Sequence, residues 1–148
     1  MTSQIQEFIR KDKESIEAPT IQTLYYLKCF QTFVANPKKK SQSWNWSAFG
    51  FGAFWLFYRR MYLYGGIGIA LTMFVPIILD SFQLSSFERA LPIVIGVTIG
   101  LVGNGLYYDF AEKEINQGIT RGGTTSVVPI LVLALLIILY GMRGYFGF

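Results

Sequence analysis

Apolar positions along the chain fall into three unbroken runs parted by short polar stretches. Residues 61–79, 90–108 and 127–142 contain no Asp, Glu, Lys or Arg. As helices rising about 1.5 Å per residue, the first two reach roughly 28 Å and the third roughly 24 Å, close to the hydrocarbon thickness of a bilayer. They are apolar all round rather than striped, and a small soluble domain could not cover three such helices. The pattern predicts an all-α membrane protein in which residues 61–148 form a three-helix transmembrane domain.

A fourth apolar stretch, residues 44–58, differs in kind. It reads WNWSAFGFGAFWLFY and carries three Trp, four Phe and one Tyr, with Lys38, Lys39 and Lys40 before it and Arg59 and Arg60 after it. Aromatic rings with a polar edge favour the headgroup region, and basic clusters at both ends oppose a full crossing. Residues 44–60 therefore read as an aromatic interfacial or re-entrant segment. The alternative is one long helix running into the first span, with the arginines snorkelling.

Residues 1–43 read as a cytoplasmic amphipathic arm. Ile5, Phe8, Ile9, Asp12 and Ile16 nearly follow a helical period behind a Ser3 cap with Gln6 three residues on, and Pro19 ends the segment. Tyr26, Leu27, Phe30, Phe33 and Val34 form a second stripe bounded by Asn36 and Pro37, with Gln22, Thr23, Lys28 and Thr32 opposite. Such a helix lies on the inner leaflet, or it packs on its own bundle or on a partner.

Charge sets the orientation. The chain has 13 Lys plus Arg against 9 Asp plus Glu, a net charge of +4. Nine of the basic residues precede Met61, while Arg89 alone lies between the first two runs and Arg143 alone follows the third. The positive-inside rule then places the N-terminus in the cytoplasm and the C-terminus outside, in a bacterial inner membrane. The first 20 residues are polar and charged, which predicts no cleavable signal peptide. The Lys38–Lys40 run adjoins Trp44 and Trp46, a setting for anionic lipid headgroups rather than nucleic acid. With no His and the single Cys29, the sequence offers no disulfide, metal or cofactor site.

Asn45, Trp46, Ser47, Ala48 and Phe49, then Trp55, Tyr58, Arg59, Arg60, Met61 and Tyr62, resemble the N-W-x-A-F and W-x-x-Y-R-K-M-Y blocks of a family of small bacterial integral membrane proteins of unknown function. Asn104, Tyr107 and Tyr108 match a later N-x-x-Y-Y block, and Tyr25, Tyr26 and Phe30 a looser upstream cluster. Ala53 stands where the pattern has Pro, Arg60 where it has Lys, and Asp109 and Phe110 in a stretch that often carries His. The resemblance implies membrane location and a shared architecture, and brings no activity with it.

Two sets of residues stand out. Gly96, Gly100 and Gly103 align on one face of the second run, and Gly65 and Gly66 begin a similar patch on the first. Faces without side chains let helices approach closely, within the chain or in association with another subunit. Asn104 is the only amide in any run, and near hydrocarbon it needs a partner. The orientation brings Asn104, Tyr107 and Tyr108 to the depth of Trp46, Trp55, Tyr58, Arg59, Arg60 and Tyr62. This polar seam would either cap the helices or bind a lipid phosphate or an acidic partner segment through Arg59 or Arg60.

These features predict a non-catalytic accessory or assembly subunit of an inner-membrane complex, with membrane lipids and other membrane subunits, or further copies of itself, as partners. One alternative is a small oligomeric transporter or pore lined by Thr72, Thr98 and Asn104, although charge-free spans disfavour ion coupling. Another is a lipid-modifying enzyme using Asp109, Glu112 or Glu114, for which no His or phosphate-cradling loop is present.

Overall fold

The computed structural model describes residues 2–9, 21–84, 87, 90–119 and 124–146, apart from the side chains of 2, 3, 6, 41, 42 and 139–146. The chain forms helices α1 (Thr2–Ile9), α2 (Ile21–Ala35), α3 (Trp46–Phe51), α4 (Ala53–Tyr58), α5 (Tyr62–Ser81), α6 (Leu91–Asn116) and α7 (Val127–Phe146), with a 3-10 helix over Pro37–Gln42. The expected Ser3–Gln6 cap, Asp12, Ile16, Pro19, Arg89 and Arg143 side chains lie outside the described residues.

Helix α6 is the axis on which the rest is built. Its buried face runs Gly96, Ile99, Gly100, Gly103, Asn104, Tyr107, Tyr108 and Ala111, a helical stripe that continues past the expected limit at residue 108. The charges of residues 109–116 interrupt the apolar run but not the helix, because Ala111 and Ile115 extend the stripe and α1 and α2 cover it. Gly118, at φ +81°, ends the helix: its N–H donates to the Ile115 carbonyl and the Ile119 N–H reaches back to Glu114. The same paired cap ends α4 at Arg60 (φ +62°) and α5 at Gln83 (φ +58°), where side-chain-bearing residues occupy the position that glycine usually fills.

The arm packs on α6. Phe8 of α1 meets Phe110 edge-on at 6.1 Å, and Phe30 of α2 meets Tyr107 at 5.6 Å and Tyr108 at 5.1 Å. The buried face of α2 is Thr23, Tyr26, Phe30 and Phe33, rotated from the expected stripe, and Val34 is 60% exposed. Aromatic stacking on α6 sets that rotation, at the expense of a purely apolar face.

The aromatic stretch is neither one straight helix nor continuous with α5. Asn45 caps α3, its side-chain oxygen accepting from the Ala48 N–H at 2.9 Å, and Gly52 at φ +50° breaks the chain into α3 and α4. The backbone of Lys40 lies against Gly105, Asn45 donates to the Gly100 carbonyl, and Phe49 meets Gly96. After the break, Ala53 sits on Gly68 and Phe57 on Gly65. The segment thus passes down α6 and returns up α5, a dip of roughly 13 Å at 1.5 Å per residue along α6. The two glycine faces therefore do not meet each other. Each receives a wall of this hairpin, and α5 and α6 make little direct contact.

Two described helices, Tyr62–Ser81 and Leu91–Asn116, are long and apolar enough to cross a membrane, rather than the three expected. Helix α7 has 20 residues, but its stretch of described side chains, Val127–Ile138, is shorter than a span. The two candidates differ in cover: 44% of the most apolar window of α6 is buried and only 11% of that of α5. Leu63, Ile67, Leu71, Phe74, Ile77 and Ile78 of α5 all face outward.

Candidate functional site

The hairpin, α2 and α6 enclose a polar seam built on two amides. The Asn45 side-chain N–H donates to the Asn104 side-chain oxygen at 2.8 Å and lies 3.2 Å from the Tyr26 hydroxyl. The Asn104 N–H donates to the Tyr25 hydroxyl at 2.7 Å, which itself donates to the Trp44 carbonyl at 2.8 Å. Asn45 and Asn104 are both buried. Asn45 also caps α3 with its oxygen, so one side chain starts that helix and ties it to α6. Pairing matters here, since an amide left unsatisfied in such a place costs several kcal/mol on apolar transfer scales, roughly 4–8.

Arg59 joins this seam through Tyr26 and is 1% exposed. Its guanidinium carbon is 4.2 Å from the centre of the Tyr26 ring, 4.9 Å from Tyr107 and 5.6 Å from Tyr58. Trp55 stands edge-on to Tyr107 at 6.2 Å and closes the cage. Among the described residues no carboxylate pairs with Arg59, and Nε and Nη2 have no hydrogen-bond acceptor; the Tyr107 hydroxyl and Trp55 Nε1 are likewise buried without one. The cation is held by ring faces.

The expected seam residues separate into two groups. Trp55, Arg59, Asn104, Tyr107 and Tyr108 converge in the interior, with Tyr58 half-buried at its edge. Arg59 is thereby a core residue and not the surface ligand for a phosphate or acidic segment that its sequence setting allowed. Trp46, 75% exposed, and Tyr62, 47% exposed, stay outside, and Arg60 is half-buried on the other side of the α4–α5 corner. Gly65, Gly96, Gly100 and Gly103 are covered by the hairpin, so none of them is open to another helix, while Gly66 faces outward with nothing within 4 Å. Sequence reasoning met Asn45, Tyr25 and Tyr26 only as parts of the family resemblance and, for Tyr26, of the α2 stripe, and did not place them in the seam. The signal was there for Asn45: a polar cap three residues ahead of Ala48.

A family profile described as a protein of unknown function (DUF2628) matches residues 7–113. The chain belongs to this family. No curated protein and no solved structure matches the chain. The stretch matched in this DUF2628 member runs from α1 through most of α6, so it takes in the amide pair, the Arg59 cage and the hairpin and stops short of α7.

Outside the seam, Lys40 forms an ion pair with Asp109 and lies 4.3 Å over the Tyr108 ring. Burial disfavours the charge of Lys40, but Asp109 outweighs it and raises the pKa. The Tyr25 hydroxyl is pushed up to about 12, chiefly by burial, and burial also raises the Cys29 thiol. Among the described residues no three His, Cys, Asp or Glu side chains are grouped to hold a metal ion. What the buried set does chemically is fix position: a cation among rings and a closed amide pair hold the hairpin between α5 and α6 in this DUF2628 fold.

Proposed function

We propose that this DUF2628 protein is an integral protein of the bacterial inner membrane that acts as a non-catalytic accessory or assembly subunit of a larger complex. The observation that carries this reading is the outward apolar face of α5, together with the exposed Ile130, Leu131, Leu135 and Ile138 on α7. Such surface is far larger than a soluble monomer tolerates, and it suits lipid tails or other helices. In this arrangement α7 is a third span, α3 and α4 form a re-entrant hairpin, and the basic N-terminal side is cytoplasmic. Lys39, next to the Lys40–Asp109 ion pair, meets anionic headgroups, and polar chemistry turned inward supports a packing role over a reactive one.

Affinity capture in mild detergent followed by mass spectrometry is expected to recover a stoichiometric membrane partner. Solute or ion flux through liposomes holding the purified chain alone would overturn the reading in favour of a pore. Lipid turnover abolished by Asp109→Asn would overturn it in favour of an enzyme. A reporter fused after Phe148 is expected outside the cytoplasm.

A further inference from the structure

A cleft of about 490 Å³ opens between α2 and the lysine-rich 3-10 helix over Pro37–Gln42, within the roughly 300–1,000 Å³ of sites that take small molecules. Tyr25, Lys28, Cys29 and Thr32, spaced to share one face of α2, line it together with Lys39 of the 3-10 helix and Ser43 just after it. Among the described residues no Asp or Glu lines it. Burial favours the neutral Tyr25 hydroxyl and the neutral Cys29 thiol, so the two lysines carry the charge of the lining. Neither lysine is matched within the chain: among the described residues the ion pair of this stretch belongs to Lys40 and Asp109, and Lys28 and Lys39 form no ion pair and lie over no ring. The hydroxyls divide. Tyr25 donates to the Trp44 carbonyl and Thr32 to the Lys28 carbonyl, while the Ser43 hydroxyl is buried with no partner.

We infer that this cleft binds a phosphate group of net negative charge, brought by an anionic phospholipid headgroup or by phosphate in solution. The lipid source rests on the membrane placement proposed above. Two ammonium groups carried by different elements supply charge-assisted hydrogen bonds to phosphate oxygens, and the Ser43 hydroxyl is a further donor that no group of the chain satisfies. A lining without a carboxylate has nothing to pair with a headgroup ammonium, so a zwitterion gains less here than an anion. The inference also accounts for a difference between neighbours. Lys40 is answered by Asp109 inside the chain, whereas Lys39, one residue before it, is answered from outside.

Cys29 is the single thiol of the chain and lines the cleft, so its alkylation by N-ethylmaleimide reports occupancy. With the full chain in neutral-detergent micelles at fixed pH and ionic strength, phosphatidylglycerol is expected to slow alkylation roughly fivefold more than phosphatidylethanolamine does, the size of a single partly exposed charge pair. Lys28→Gln and Lys39→Gln are each expected to remove most of that difference. Lys113→Gln, which removes an exposed cation of α6 outside the cleft, is expected to leave it unchanged. Inorganic phosphate, set against sodium chloride of equal ionic strength, separates the sources: protection by phosphatidylglycerol alone assigns the cleft to lipid, protection by phosphate alone to a soluble ligand, and protection by both to the phosphate group itself. Equal rates with every addition, a difference that survives either Lys28→Gln or Lys39→Gln, or one that falls equally in Lys113→Gln would overturn the proposal. Extraction by alkaline carbonate separates the two readings: release from membranes sinks the membrane placement itself, while a retained chain whose Cys29 gains no protection sinks only this site.

Discussion

A guanidinium shut away from water with no carboxylate beside it persists only if something else meets its charge. For Arg59 that is the stack of Tyr26, Tyr107 and Tyr58, and a desolvated cation over a ring contributes about 2 kcal/mol. Arg59→Ala is expected to cost about 3 kcal/mol by emptying the cage, read as thermal or denaturant unfolding in micelles. Arg59→Met, which fills the space without charge, is expected to cost about 1 kcal/mol or less, as apolar replacements of buried charges do. A methionine variant as unstable as the alanine one would mean that charge, not volume, holds the site. The amides allow a sharper test. Asn45→Ala and Asn104→Ala are each expected to cost about 1–3 kcal/mol, with Asn45 the worse because it also caps α3. Their double-mutant cycle should show a coupling of about 1 kcal/mol, and additivity would deny the bond between them.

Helices in this chain are told apart by what fills their glycine faces. A Cβ on Gly68 would lie 2.9 Å from that of Ala53, whereas one on Gly66 would meet nothing. Gly68→Leu is expected to cost about 2–3 kcal/mol by forcing α4 off α5, and Gly66→Leu under about 0.5 kcal/mol, measured side by side. The sequence placed α5 and α6 to within a residue or two at their starts, because charge-free apolar runs mark out long helices directly. It ended the second run at residue 108, short of Asn116 where α6 ends, since a charge stops an apolar run without stopping a helix. The glycine stripes were plain, but a bare face says only that something comes close, not what. That the occupant was the aromatic stretch depended on Gly52, whose turn lies inside a run of rings with no polar punctuation around it. The partner of Asn104 escaped for a related reason: Asn45 is 59 residues away and reads locally as a helix cap.

At the scale of the molecule, the tryptophans report the outer surface. Trp46 is 75% exposed on α3 and Trp55 is 3% exposed in the cage. In vesicles of brominated lipid, Trp46→Phe is expected to remove most of the quenching, and quenching that stays unchanged would place that face against protein. The hairpin also sets an order of events for a chain made from one end. Its two walls, α5 and α6, both come later in the sequence, and the deepest contacts, at Gly96 to Gly105, lie about fifty residues downstream of the tryptophans. At roughly 5–20 residues per second, a nascent chain carries its stickiest stretch unsheltered for several seconds before the ribosome supplies the second wall. Whatever receives this polypeptide during translation must shield that stretch in the interval, and a pause placed ahead of residue 96 would lengthen its exposure.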